Sequence, residues 1–173
     1  MRILPEIEAT RQAGGAIVAL ESTLIGHGLP HPDNIEVARS AEAAVRGSGA
    51  VPATMAVLDG VAHVGLDDDT INRLATTPGV VKLSRRDLPA ALSGASSMPA
   101  VGATTVSATM ILAHQADISV FATGGIGGVH RGVTDSMDIS ADLFELSATP
   151  VATICAGPKA CLLYTSPSPR DNR

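Results

Sequence analysis

An apolar run that breaks into glycines constrains the fold of this chain more than any other stretch. Residues 118–122 are apolar and predict a buried strand, and four glycines then fall within positions 124–128. A strand that ends in glycines lets the backbone turn tightly and approach a ligand, and successive amides in such a turn can form an anion-binding concavity. His130 and Arg131 can add positive charge beside that turn. The stretch therefore predicts a ligand-facing loop at the edge of an α/β sheet.

Short polar side chains follow the glycines where the next helix is expected to begin. Asp138, Ser140 and Asp142 occupy this start. Asp138 can cap the helix or bind a cation, and the sequence alone leaves both open. A glycine loop followed by a capped helix, with no ligand, also accounts for the pattern, since motif matches are hypotheses. The spacing differs from the dinucleotide-binding fingerprint, because His130 stands where the third glycine would be.

Length and charge exclude several classes of protein. The 173 residues suffice for one domain with a sizeable core, and 45% of them are hydrophobic. The net charge of −5 and the absence of a Lys/Arg-rich run argue against a nucleic-acid groove. No apolar run reaches membrane-spanning length. We therefore expect a soluble cytoplasmic protein that binds neither nucleic acid nor membrane.

Strand and helix patterns alternate along the rest of the chain. Apolar runs predict strands at 16–20, 79–83 and 151–155, and Asp59-Gly60 predicts a tight hairpin turn between 53–58 and 61–64. Helices are predicted over 5–13, from a cap at 33–34 to about 46, from the acidic cap at 67–69, and from 102–105 through 112. This order predicts an α/β fold with a central mixed, largely parallel sheet flanked by helices.

Polar residues that follow these strands are candidates for a site. Glu21 comes directly after the first buried strand, where open α/β sheets place ligands, although a solvated loop carboxylate fits equally. Lys82 lies inside a strand and would ordinarily face solvent, but two arginines close behind it favour phosphate binding. Thr105 stands at a helix N-terminus, where hydroxyls serve as caps and also bind phosphate.

Eight short motifs occur along the chain in a fixed order; they lie at 19–23, 28–30, 49–54, 82–89, 102–106, 121–132, 138–143 and 155–159. Together they resemble one family, the pseudouridine-5′-phosphate glycosidases, also known as indigoidine synthase A-like proteins. The resemblance runs from about residue 15 to about residue 161, with matching order and spacing of the motifs.

The resemblance implies an activity, a cofactor and an assembly. The activity is a lyase or glycosidase reaction that cleaves the C–C bond between uracil and ribose 5-phosphate in pseudouridine 5′-phosphate. The implied cofactor is a divalent cation, typically Mn²⁺, and the implied assembly is a homotrimer. The alternatives are an inactive fragment of the enzyme and a sugar-phosphate-binding module without turnover.

The same resemblance assigns roles by motif position. Lys159 resembles the nucleophile, Glu21 the proton donor and Asp138 the metal-associated carboxylate. The positions that resemble substrate-binding residues, or are expected to help hold the substrate, are Lys82, Thr105, Val106, Thr123, His130, Ser140, Ala141 and Asp142. If the strands that precede Glu21 and Lys159 are parallel in one sheet, both side chains emerge at one edge. We then expect a single cleft lined by these two residues and by Lys82, Thr105, the 124–132 loop and Asp138.

The family pattern stops after residue 161. Residues 162–173 contain two Ser-Pro pairs and polar residues that cannot form a core element. We interpret residues 1–161 as the N-terminal part of a glycosidase-like domain in a C-terminally truncated chain. The tail is interpreted as a sequencing artefact, with a genuine disordered terminus as the alternative.

Overall fold

A computed structural model describes residues 1–94, 98–129 and 133–157. Within these ranges eight strands and seven helices follow one another, together with a short π-helical turn at Leu24–Gly28. The strands are β1 (Arg2–Ile3), β2 (Ile17–Leu20), β3 (Val51–Leu58), β4 (Val61–Val64), β5 (Val81–Leu83), β6 (Val101–Thr104), β7 (Val120–Thr123) and β8 (Ala152–Cys155). The helices are α1 (Pro5–Gln12), α2 (Asp33–Gly47), α3 (Asp68–Thr76), α4 (Leu88–Leu92), α5 (Val106–Gln115), α6 (Val133–Ser136) and α7 (Ala141–Ala148).

The strands form one mixed sheet in which β3 is the central element. The strand order along the main path is β1-β4-β3-β2-β7-β8, and β2, β3, β7 and β8 are mutually parallel. The second half of β3 pairs antiparallel with both β4 and β6, and β5 lies parallel beyond β6. The predicted α/β architecture with a mixed, largely parallel sheet is therefore confirmed.

Alternate residues of β3 divide the core into two layers. Ala53, Met55 and Val57 belong to a cluster that includes the buried face of α5, whereas Ala56 and Leu58 belong to one built with α2 and α3. Because both faces of β3 are covered, the strand carries a nearly continuous apolar run, and seven of its eight residues are buried. Among the residues that the structure describes, no helix is long and apolar enough to cross a membrane.

The predicted hairpin is confirmed. Asp59 and Gly60 connect the antiparallel strands β3 and β4, and both residues have positive φ, 51° and 78° respectively. Positive φ at both central positions is what a type I′ turn requires, and its twist matches that of the flanking strands. Arg73 on α3 donates to both carboxylate oxygens of Asp59, at 2.7 and 2.8 Å, so the turn is also tied to the helix layer.

One predicted helix start is wrong, because residues 101–104 form strand β6. All four residues are buried, and the strand lies between β3 and β5. A Cβ on Gly102 would stand 2.3 Å from Leu83 Cδ1, so the glycine allows β5 to pack closely. Tertiary pairing with two neighbouring strands thus overrides the local cap pattern, and the helix α5 begins only after Thr105.

The predicted N-caps of α3 and α2 have different outcomes. Asp67 is the N-cap of α3 and accepts from the Thr70 amide at 2.9 Å, as predicted. Asn34 is not the N-cap of α2, because the helix begins at Asp33 after the N-cap Pro32. Its side-chain oxygen accepts from the Ile35 amide at 2.9 Å, and its side-chain NH2 group donates to the carbonyl oxygens of Ile25 and Ala75. Asn34 therefore joins the π-helical turn and α3 to α2, a tertiary role that its position near a helix start does not reveal.

Glu42 on α2 gives the stability of the protein a pH dependence. It accepts a hydrogen bond of 2.5 Å from Thr54 Oγ1 on β3. Burial raises the pKa of the Glu42 carboxyl, and the Thr54 hydrogen bond opposes that rise only in part. Between the ordinary and the raised pKa the folded protein holds a proton that the unfolded chain has lost. Stability therefore falls as the pH rises through this window.

We expect the Glu42→Gln substitution to raise the free energy of unfolding at neutral pH by less than about 1 kcal/mol, since the group is only partly buried. Glutamine keeps an oxygen that accepts from Thr54 and carries no charge to desolvate. Urea denaturation near pH 7 and again below the ordinary carboxyl pKa measures the effect. The gain should vanish at the lower pH, and an equal gain at both values would contradict this explanation.

Candidate active site

The ends of three parallel strands bring the first predicted site residues together. Leu20 on β2 is in register with Ala122 on β7, and Thr123 on β7 is in register with Cys155 on β8. The next residue after β2 is Glu21, and Thr123 Oγ1 donates a hydrogen bond to Glu21 Oε1. The partly buried Glu21 and Thr123 thus share one sheet edge, and the chain that leads from Cys155 towards Lys159 leaves β8 at the same edge.

Thr105 follows β6, a strand whose direction is opposite to that of β2. β2 and β8, the strands that precede Glu21 and Lys159, are both parallel to β7, as predicted. β6, which precedes Thr105, and β5, which carries Lys82, run antiparallel to β3. In the register of β3, Leu20 pairs with Thr54 and Ala103 with Ala56, so the C-terminal ends of β2 and β6 meet beside the middle of β3.

Hydroxyl groups join the two strand ends. The Thr104 amide donates to Ser22 Oγ at 2.9 Å, and Thr23 Oγ1 donates to the Thr104 carbonyl at 2.7 Å. Thr104 Oγ1 donates to the Met55 carbonyl at 2.8 Å and accepts from Thr109 Oγ1 at 2.9 Å. Each of these hydroxyls has a protein partner, although Thr23 is only partly buried, so they fix the ends of β2 and β6 relative to each other.

Lys82 lies on β5, one strand further from the junction. It is exposed and in register with Ala103, and its neighbour Leu83 is in register with Thr104. Val106, by contrast, is 2% exposed and packs in the core at the start of α5. A ligand near Val106 would therefore meet its backbone more readily than its side chain.

Asp142 connects the glycine loop to the N-terminus of α5. One carboxylate oxygen accepts from the Ser107 amide at 2.9 Å, and the other accepts from the Gly127 amide at 2.8 Å. The Ser107 amide is one of the helix N-terminal donors that have no partner within the helix. Asp142 therefore binds at the N-terminus of α5, where the sequence pattern also suggested a phosphate. Its role as a substrate-binding residue stays a prediction.

The glycine loop lies directly against the start of α7. A Cβ on Gly127 would stand 2.0 Å from Ser140 Oγ and 2.7 Å from Asp142 Oδ2, so a side chain has no room there. The Ser140 amide donates to the Gly128 carbonyl at 3.0 Å, and Val129 forms an isolated β-bridge with Ile139. The glycine loop is therefore in direct contact with the start of α7.

Ser140, rather than Asp138, caps α7. The Ser140 hydroxyl accepts from the Asp142 amide at 3.3 Å, so the alternative in which Asp138 is the cap is wrong. Asp138 is exposed and precedes Ile139, the residue that is bridged to the end of the glycine loop. Ala141, the third member of the predicted 140–142 run, is partly buried in the first turn of α7.

The metal-ligating side chains of this region determine which kind of divalent cation fits it. In the described ranges, no group of three or more His, Cys, Asp or Glu side chains is placed to hold a metal. Asp138 supplies an exposed carboxylate at the loop edge. One hard oxygen donor suits a cation such as Mn²⁺ or Mg²⁺ that keeps most of its waters, and it does not suit a fully protein-ligated metal.

Two predicted site residues, His130 and Lys159, and the tail at 162–173 lie outside the described residues. The structure also brings in residues that the sequence patterns did not single out. Ser22, Ser107 and Glu145 are 0%, 0% and 1% exposed, and each holds part of the site through a hydrogen bond. Ser22 follows Glu21 directly, so its position at the end of a buried strand could have identified it. The partners of Glu145, in contrast, depend on tertiary packing.

Comparisons with known proteins agree with this architecture. The sequence model of one family, described as indigoidine synthase A like protein, matches residues 6–165. A protein named pseudouridine-5′-phosphate glycosidase from Rhodospirillum centenum is 60% identical over 156 residues, which cover 90% of this chain and 47% of the relative. A protein of the same name from Methylobacterium nodulans is 55% identical over 158 residues, covering 91% and 46%. The chain thus spans about half the length of the curated relatives it matches.

Solved structures show the same fold. The prealnumycin C-glycosynthase AlnA, crystallised in complex with ribulose 5-phosphate, superposes with a TM-score of 0.81 at 42% identity and covers 91% of this chain and 50% of its own. An indigoidine synthase A-like protein from Thermotoga maritima gives a TM-score of 0.74 at 32% identity, covering 83% and 46%.

Proposed function

Because the chain belongs to the indigoidine synthase A-like family, we propose that the protein carrying it cleaves the C–C glycosidic bond of pseudouridine 5′-phosphate, reversibly, to uracil and ribose 5-phosphate. Relatives that share more than half of the aligned residues carry the name of that activity. The observation that carries the proposal is the sheet edge where Glu21 meets Thr123, and where β8 ends four residues before Lys159.

The chemistry explains why a lysine and a carboxylic acid are needed together. The leaving group is a carbon atom of uracil, so protonation of an exocyclic heteroatom, as in O- and N-glycosidases, is not available. In the proposed reaction the Lys159 amine bonds to C1′ of the sugar, and the C1′–O4′ bond breaks as Glu21 protonates the ring oxygen. The C1′–C5 bond then breaks, its electron pair passes to uracil and is protonated there, and an imine forms between Lys159 and C1′. Water hydrolyses this imine to ribose 5-phosphate and the free amine.

Lys159 must be deprotonated to attack, and Glu21 must hold a proton when the ring oxygen leaves. Burial or neighbouring positive charge favours the neutral amine. The proposed phosphate contacts are Lys82, Thr105, His130 and amides of the glycine loop, because ammonium groups and helix or loop amides are the usual partners of phosphate. Val106, Thr123 and residues 140–142 are proposed to line the rest of the substrate.

Asp138 is the residue proposed to hold a divalent cation such as Mn²⁺, and the cation would neutralise negative charge beside the substrate. A homotrimer is proposed for the whole protein, which we place in the cytoplasm. Size-exclusion chromatography with light scattering measures the assembly, and a monomer at micromolar concentration would contradict the trimer.

A second candidate is a chain that binds a sugar phosphate without turnover. It is supported by the structure of AlnA in complex with ribulose 5-phosphate, because that ligand is a sugar phosphate. This candidate predicts that the full-length gene product binds ribose 5-phosphate without turnover and that Lys159→Ala leaves its affinity nearly unchanged.

Turnover by the full-length product of the gene that encodes this chain separates the two candidates. The protein is incubated with pseudouridine 5′-phosphate and Mn²⁺, and uracil and ribose 5-phosphate are quantified by chromatography. We expect equal amounts of the two products, together with formation of pseudouridine 5′-phosphate in the reverse direction. Binding of ribose 5-phosphate without release of uracil in this preparation would reject the glycosidase and favour the binding module.

A further inference from the structure

Arg85, one of the two arginines that follow Lys82, forms an ion pair with Glu145 beside the candidate site. Glu145 on α7 is 1% exposed, and its Oε2 atom lies 2.6 Å from Nη1 of Arg85, which follows β5. The other oxygen of Glu145 accepts from Thr149 Oγ1. A carboxylate this deeply buried requires a cation and hydrogen bonds, and removal of either partner leaves the other uncompensated.

Arg85 bonds to the site at two further points. Its amide donates to Ser107 Oγ at 3.2 Å, and its guanidinium lies over the ring of Phe144 with 4.9 Å to the centroid. Phe144 and Glu145 are adjacent on α7, so Arg85 holds this helix through both a charged and an aromatic contact. The Arg85 side chain is about half exposed, at 47%, although its partner Glu145 is not.

Together these contacts form a closed ring of hydrogen bonds and one ion pair beside the site. Arg85 bonds to Ser107, the Ser107 amide bonds to Asp142, Asp142 lies one helical turn before Glu145, and Glu145 pairs with Arg85. Asp142 also holds the Gly127 amide, so the glycine loop is attached to the same ring. The end of β5, the start of α5, the glycine loop and α7 are therefore fixed relative to one another.

Each of these segments carries a residue proposed to contact the substrate. Lys82 is three residues before Arg85, Val106 directly precedes Ser107, and residues 140–142 begin α7. We propose that Arg85 and Glu145 are positioning residues, which hold the glycine loop and the start of α7 against α5 in the geometry that binds the sugar phosphate. This inference rests on the proposed function and adds to it two residues that act on the site through Ser107, Asp142 and α7.

The test uses Arg85→Met, which keeps the aliphatic stem and removes the charge, and Arg85→Lys, which keeps a charge able to reach Glu145. Arg73→Met is the matched control, because Arg73 pairs with Asp59 through Nη1 at 2.7 Å on a surface remote from the ring. KM and kcat for pseudouridine 5′-phosphate are measured on the full-length gene product. Amide hydrogen exchange is followed at Ser107 and Gly127.

For Arg85→Met we expect KM to rise on the order of tenfold or more with a smaller change in kcat, because binding geometry is lost. Exchange at Gly127 and Ser107 should accelerate by at least about tenfold while other core amides keep their protection. Arg85→Lys should restore most of both values, and Arg73→Met should change neither. Should Arg85→Met fail to fold, Glu145→Gln replaces it, with the same expected directions.

Unchanged KM and unchanged exchange at Gly127 in Arg85→Met would overturn the positioning role. So would a uniform acceleration of all amides without rescue by Arg85→Lys, since that pattern belongs to a pair that only stabilises the fold. If the unaltered protein releases no uracil, the proposed function fails. The exchange rates at Gly127 and Ser107 then still decide whether the ion pair holds the loop.

Discussion

Lys159→Ala is expected to lower the turnover of pseudouridine 5′-phosphate by about a thousandfold or more, the largest effect of any single substitution considered for this site. The reason is chemical: without an amine at C1′ there is no nitrogen lone pair to form the imine as the C1′–C5 bond breaks towards uracil. The rate of uracil release by the full-length gene product, with the substrate at saturating concentration, measures the loss.

Lys82 provides the comparison, because it and Lys159 are the two lysines of the sequence. Lys82→Ala removes a proposed phosphate contact and keeps the nucleophile, so its main effect should be a higher KM rather than a lost kcat. Substantial turnover by Lys159→Ala, with turnover abolished in Lys82→Ala, would reverse the two roles. Near-normal turnover in both variants would reject a lysine nucleophile altogether.

Gly127→Ala is expected to detach the glycine loop from α7, with the second largest effect. The added methyl group would lie 2.0 Å from Ser140 Oγ and 2.7 Å from Asp142 Oδ2, and the Asp142 carboxylate is also bound to Ser107. Overpacking of this kind costs about 1–3 kcal/mol of folding free energy. Because the loop carries proposed phosphate contacts, the affinity for ribose 5-phosphate should also fall by about tenfold or more.

Gly124→Ala is the matched control for stability, because a Cβ at Gly124 meets no atom within 4 Å in the described structure. Its free energy of unfolding should stay within about 0.5 kcal/mol of the unaltered protein. Urea denaturation and titration calorimetry with ribose 5-phosphate compare the two variants. Equal stability and equal affinity in Gly127→Ala and Gly124→Ala would contradict the close packing of the loop on α7.

Patterns that are local in sequence predicted much of the fold. The Asp59-Gly60 turn and the Asp67 cap depend on backbone preferences and hydrogen bonds within a few residues, and both are confirmed. Glu21 was placed correctly because the register of parallel strands brings their carboxyl ends to one edge. β6 was missed because four small, buried residues carry no periodicity, and their strand conformation comes from pairing with β3 and β5.

The contacts that hold the site together could not be read from sequence spacing. Arg85 and Glu145 are 60 positions apart, and Ser107 and Asp142 are 35 apart. Neither spacing corresponds to a helical or strand repeat, so no local rule pairs these residues. Asp142 was singled out as a substrate contact, whereas the structure shows that both of its oxygens accept backbone hydrogen bonds.

Reductive trapping of the sugar tests the proposed mechanism most directly. The full-length gene product is incubated with ribose 5-phosphate and borohydride, digested, and examined by mass spectrometry, with Lys159→Ala treated in parallel. An imine between Lys159 and C1′ predicts one reduced pentose-phosphate adduct, on the peptide that contains Lys159, and its absence from the variant. An adduct confined to Lys82, or none on a protein that turns over its substrate, would contradict the lysine-imine reaction proposed for this chain.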